Sequence, residues 1–199
     1  GIVNTHSHAD HIGGNQFLQQ KTGCKVFAMG AEAAFTRFPF LEPSFLYGGC
    51  PFGALRHKFL LAAESRVTDI AGPDFPDGLE IIPLPGHSFD MIGLRTPDGT
   101  VFLADCLSSE ATLQKYPVAF VYDVAAYLDT LVKVEAFEAP LFVPSHAPAT
   151  RDIAPLARLN REKAGEIAAA LVEMCAAPMG FEGLLGRVFD RFGLAMNAE

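Results

Sequence analysis

Residues 5–14 read THSHADHIGG, a window holding three of the chain's six histidines together with one aspartate. It follows a short β-branched run, IVNT (2–5), and ends in Gly13-Gly14. His6 and His8 are two residues apart, so at an extended strand end both side chains project from the same side. Both imidazoles then reach one ion. Asp10 and His11 come after the chain turns and reach a second ion nearby. Neutral imidazole and carboxylate suit zinc, with other first-row divalent ions as alternatives. Gly13 and Gly14 are expected to permit close backbone approach around the turn.

Outward from this window the chain reads as α/β. A helix starting in HIGGNQFLQQ (11–20), a strand KVFAM (25–29) and a short helix over AEAAF give a βαβ rhythm. Residues 36–60 break it: the segment is rich in Phe, Pro and Gly, and its five phenylalanines argue for an ordered segment, either an apolar flap over a cleft or an insertion packing against the core. LEIIPLP (79–85) is a strand ending in Gly86-His87. IGLRT (92–96) and VFLAD (101–105) flank Pro97-Asp98-Gly99-Thr100 as a hairpin. A helix is predicted over 123–137, with Val124, Leu128, Leu131, Val132 and Phe137 on its apolar face, and LFVPSHAP (141–148) is a strand ending in a histidine. Helices over 152–175 and 181–194 close the chain. His6, His87, Asp105 and His146 all fall at the C-terminal ends of predicted strands, the rim where open α/β architectures present ligand sites.

Composition narrows the function classes. Half of the 199 residues are apolar, enough for a substantial core, and no apolar run approaches the roughly 20 residues that span a bilayer. A net charge of −8 without any basic run argues against a nucleic-acid binder. Cys24, Cys50, Cys106 and Cys175 lack CxxC spacing, so a cytoplasmic protein without a disulfide framework is expected.

His6-Ser7-His8-Ala9-Asp10-His11 resembles the HxHxDH signature of the metallo-β-lactamase-fold hydrolases. Gly86-His87-Ser88, Ala104-Asp105-Cys106 and Ser145-His146-Ala147 match that family's downstream elements in order. The resemblance covers about residues 2–150 and implies an αββα sandwich built from two similar halves. It implies that His6, His8 and His87 hold one divalent metal, that Asp10, His11 and His146 hold a second, and that Asp105 bridges them. Two zinc ions are expected, with Fe or Mn as alternatives, activating a bridging hydroxide; Asp10 would also orient that nucleophile and help move its proton. The chain begins about one strand before the motif. The opening strands of the family domain are therefore expected to be missing, leaving a catalytic domain over 1–150, truncated at its N-terminus, with poor stability as an isolated monomer. Residues 151–199 form a helical C-terminal extension, suited to packing, cleft shaping or a homodimer.

The fold hosts many chemistries, so the site must decide among them. His8 stands where di-iron redox relatives commonly carry glutamate, which favours hydrolysis of a small thioester, ester or lactone. The reading is glyoxalase-II-like, with a lactonase close behind. A di-iron redox or oxygen-reacting module and a phosphodiesterase are the alternatives. A glutathione thioester would need a basic clamp, for which Arg151, Arg158, Arg161 and Lys163 are candidates by proximity to the last ligand strand. His57 in the flap, and Tyr116 and Tyr122 after the bridging strand, are candidate substrate contacts. Cys106 reads as a small buried residue.

Overall fold

Residues 1–195 are described by a computed structural model. Its strands form two sheets. The first is parallel in the order β1 (Ile2–Val3), β2 (Val26–Ala28), β3 (Val67–Asp69). The second has the order β4 (Glu80–Pro83), β5 (Ile92–Arg95), β6 (Val101–Ser108), β7 (Phe142–His146). It is antiparallel except for the parallel β6–β7 pair. The Ile92 N–H donates to the Thr5 carbonyl at 3.0 Å, which ties the segment after β1 to the second sheet.

The predicted helix over 11–20 is two pieces, α1 (Ala9–Ile12) and α2 (Asn15–Thr22). The break falls at the glycine pair. A Cβ on Gly13 would stand 2.8 Å from the Ala9 carbonyl oxygen, so the close approach is at Gly13, while Gly14 has open space around it. After β2 come α3 (Gly30–Arg37), which packs on β2 and β3, and α4 (Leu41–Tyr47). Strand β3 has no counterpart in the sequence reading, because three residues carry too short an alternation to register. The same is true of α5 (Glu110–Lys115), which follows β6 and is capped by Ser109, whose hydroxyl accepts from the Thr112 N–H at 3.1 Å.

The main core lies under the second sheet. Leu84, Met91, Val101, Leu103, Leu107 and Phe142 meet residues of α6 (Val124–Glu135) and α7 (Ala154–Met174). Each fully buried side chain of this size contributes about 1.5–3 kcal/mol. The buried residues of α6 are Thr130, Leu131 and Val134; Val124 and Val132, placed on the apolar face by their spacing, are exposed. Ile153 and Ala157 belong to this same core, so it extends past residue 150 into the helical extension. Helix α8 (Phe181–Phe192) contacts α7 and buries none of its residues. No helix among the described residues is long and apolar enough to cross a membrane.

Candidate metal centre

Four different devices deliver the ligand-type side chains to one place. His6 and His8 lie on the turn between β1 and α1, and Asp10 and His11 on α1 itself. His87 sits on the loop after β4, whose path is fixed by α6: Tyr122 and Asp123 N–H groups both donate to the Gly86 carbonyl at 2.9 Å. The Thr130 hydroxyl donates to the Pro85 carbonyl at 2.7 Å. Gly86 has φ +124°, and a Cβ there would overlap the Tyr127 backbone, so only glycine fits.

The sequence pattern puts Asp105 at a strand end, yet β6 continues to Ser108 and Asp105 lies inside it. What presents it is an irregularity. The β6–β7 register shifts on either side of Ala104, which takes φ +48°, a left-handed conformation costing a non-glycine residue about 1–2 kcal/mol. His146 ends β7.

The seven side chains converge in two sets. Ligand atoms of His6, His8, His87 and Asp105 lie within 4.8 Å of one another, as do those of Asp10, His11 and His146. Asp105 stands between the sets. Its Oδ2 is 2.9 Å from His146 Nε2 and 3.6 Å from both His6 Nε2 and His87 Nε2, and its Oδ1 is 3.2 Å from His11 Nε2. His87 Nε2 and His8 Nδ1 are 3.1 Å apart. His6 Nε2, His11 Nε2 and Asp105 Oδ1 are buried without a hydrogen-bond partner. Orphaned buried atoms of this kind cost roughly 1–3 kcal/mol each, and a cation held by each set would satisfy them, His6 in the first, His11 in the second and Asp105 between.

Electrostatics agree with that fit. Burial is the largest influence on the first three histidines: it lowers His8, lowers His6 well below the ordinary 6.5, and pushes His87 down to about 4. Burial alone would raise the Asp105 carboxyl, but His11, His6 and His87 outweigh it and hold the group well below the usual carboxylate range. Neutral imidazole and ionised carboxylate are the forms that bind metal. His11 differs: burial pulls it down, but Asp105 and Asp10 outweigh this and raise it above 6.5.

Two clefts open on this centre. One, of about 330 Å³, is lined by His87, Asp105, Ser108, Tyr116, Phe120 and His146 among others, and its walls are largely apolar. The other is lined by His8, Asp10, Glu42, Tyr47, Phe59 and Phe120. The flap thus reaches the site through α4 and Phe59, while all five of its phenylalanines remain largely exposed instead of forming buried packing. Tyr116 lines the first cleft. Tyr122 lies beside Phe89, ring centroids 4.1 Å apart, in a small pocket it shares with Ser7 and His8. His57 lines neither cleft and packs edge-on to Phe59. None of the four clamp candidates, Arg151, Arg158, Arg161 and Lys163, lines either cleft: Arg158 and Arg161 pair with Glu135, Lys163 pairs with Glu166, and neither cleft includes a Lys or Arg among the described residues. Cys106 is fully buried, and burial pushes its thiol up.

Several residues around the centre escape a motif reading. Glu32, completely buried on α3, accepts four hydrogen bonds from the loops carrying His6, His8 and His87. Its one sequence signal is a lone charge within AEAAF. Glu42 is buried beside the second cleft, and burial, then Asp10 and Glu32, raise its carboxyl to about 8. Asn160 on α7 grips Ser108 on both sides, accepting from its N–H and donating to its carbonyl, both at 2.9 Å.

The model of the metallo-beta-lactamase superfamily matches residues 1–146, and the chain belongs to that superfamily. Among curated proteins, it is 26% identical over 149 residues to a beta-lactamase-like protein 2 homolog of Drosophila melanogaster. That match covers 73% of this chain and 44% of the relative, so the chain spans less than half of that protein's length. A metallo-beta-lactamase family protein of Thermus thermophilus superposes with a TM-score of 0.70 at 20% identity, covering 96% of this chain and 69% of the other. TTHA1623, in a di-iron-bound form, superposes with a TM-score of 0.51 at 21% identity, covering 76% of this chain and 71% of the other.

Proposed function

We propose that the chain is the catalytic part of a metal-dependent hydrolase acting on a small, uncharged thioester, ester or lactone. The observation that carries this is the convergence of seven ligand-type side chains in two sets around Asp105, beside a largely apolar cleft with no Lys or Arg among the described residues. His6, His8 and His87 would hold one divalent ion and Asp10, His11 and His146 the other, with Asp105 shared. The chemistry such ions would supply is a water nucleophile at neutral pH and polarisation of the reacting carbonyl. Asp10, half exposed at the mouth, is placed to orient that water and take its proton. Phe120 stands edge-on to His8 and His87 at centroid distances of 5.7 and 6.3 Å, where it presents an apolar surface to the acyl group and keeps bulk water from that side.

Lack of a basic lining argues against a glutathione thioester, whose carboxylates would enter the cleft without a partner. The largely apolar walls of the cleft also favour a neutral ester over a phosphodiester. Zinc is the expected metal, from the imidazole and carboxylate donor set. An iron-loaded centre is the second reading, favoured by the di-iron-bound form of one structural neighbour. Turnover of a neutral thioester, a lactone, a glutathione thioester and a phosphodiester by the metal-loaded protein tests the proposal. Hydrolysis of the first two, and little of the others, is expected. No turnover of any ester, thioester or lactone with two ions bound would overturn it.

A further inference from the structure

Glu32 is the most completely buried charged residue around the centre, and none of its hydrogen bonds goes to a cationic side chain. Its Oε2 accepts from the Ser7 N–H at 2.9 Å and the Ser7 hydroxyl at 2.6 Å. Its Oε1 accepts from the Ser88 hydroxyl at 2.5 Å and the Asp90 N–H at 3.0 Å. Ser7 lies between His6 and His8, and Ser88 follows His87. Every donor to this carboxylate therefore comes from one of the two loops that supply the first histidine set, and each oxygen serves one loop.

Helix α3 holds the carboxylate at a fixed point. Asp90 Oδ2 accepts from the Ala31 N–H at 2.7 Å in the helix's first turn, while the Asp90 N–H gives back to Glu32. Gly30 takes φ +47°, and a Cβ there would overlap the Asp90 carboxylate. Loop and helix are thus locked reciprocally. The two loops lie about 80 residues apart in the chain, and no hydrogen bond joins Ser7 directly to Ser88 among the described residues. A side chain that only filled space would not set their separation. A carboxylate with both oxygens doubly engaged does.

We propose that Glu32 is the positioning residue of the first metal subsite: by bridging Ser7 and Ser88 it fixes the spacing of the His6/His8 and His87 loops. It thereby sets the affinity of that subsite apart from that of Asp10, His11 and His146. The inference rests on the reading of the histidine sets as metal ligands. Such outer contacts typically change metal affinity 10–100-fold. In Glu32→Gln the amide offers one acceptor and one donor group. It cannot satisfy both the Ser7 and Asp90 backbone N–H groups, so one loop is released. Ser88→Ala removes a single bond and leaves the helix and both backbone contacts in place.

The test is zinc titration of the chelator-stripped full chain against a chromophoric competitor, for wild type, Glu32→Gln, Ser88→Ala and His146→Ala. Wild type is expected to bind two ions, and His146→Ala to keep the tighter step, which assigns that step to the first subsite. Glu32→Gln should weaken the tighter step about 10–100-fold and the weaker step less than about threefold. Ser88→Ala should weaken the same step by a smaller factor, and it carries the test if Glu32→Gln does not fold. A tighter step unchanged in the folded variants, with only a lowered melting temperature, would overturn the proposal and leave the metal reading intact. A wild-type chain that binds no zinc would overturn the metal reading, and this inference with it.

Discussion

The two histidine sets differ in how the fold treats them. The first comes from two loops held by Glu32 and by α6, and His6 is completely buried. Members of the second stand at the mouth: Asp10 side-chain exposure is 51% and that of His146 is 42%, against 15% for His87. One set is pinned by neutral, desolvated imidazoles, whereas the other includes His11, whose protonated form Asp105 and Asp10 stabilise. The lesson is that a pair of chemically similar ligand sets need not be equivalent. The buried one is shielded from solvent and the open one faces it.

That contrast is broken most severely at Asp105, which both sets share. Asp105→Ala should lower turnover about 10²–10³-fold, the scale seen when a group stabilising transition-state charge is removed, measured as kcat/KM on a neutral lactone. Wild-type turnover in that variant would remove the shared carboxylate from the account.

The asymmetry is sharpened by pH. An ion competes with protons for its imidazoles, so a histidine with a raised pKa surrenders its ion at higher pH than one with a lowered pKa. As pH falls through the His11 value, above 6.5, the second set should lose metal, while His87 stays neutral down to about 4. Metal content after dialysis at pH 7.5 and pH 5.5 should fall from about two ions per chain to about one. Loss of both ions together would show the sets to be equivalent.

A smaller effect is expected where the clefts meet. Phe120→Ala should raise KM for an apolar ester about three- to tenfold, from one lost aromatic contact, with less change in kcat. The smallest belongs to Tyr116→Phe. Its hydroxyl lies on an exposed ring, and a change in kcat below about threefold is expected; a loss of 10²-fold or more would make it an oxyanion donor.

The ligands are legible in the sequence because their chemistry is written locally. HxHxDH packs four donors into six residues, and two of the three later donors sit beside a break: Gly86 before His87, the end of β7 at His146. The motif finds Asp105 but misplaces it, since a bulge at Ala104 is set by pairing with β7 and leaves no trace in alternation. Glu32, Phe120 and Asn160 stay hidden because their roles depend on distant parts of the chain. The Glu32 bonds to Ser7 and Ser88 span 25 and 56 residues, and the Asn160 bond to Ser108 spans 52. Residue type alone gives no hint of such a pairing. The flap borders a cleft as its composition suggests, but its five phenylalanines stay largely exposed, a detail that apolar content alone does not convey.

Zinc counting on the purified chain tests the central claim most directly. Two ions per wild-type chain are expected after equilibration with zinc at neutral pH, and no more than one in Asp105→Ala with the fold retained by circular dichroism. Two ions in both proteins, or none in the wild type, would contradict a centre built around Asp105.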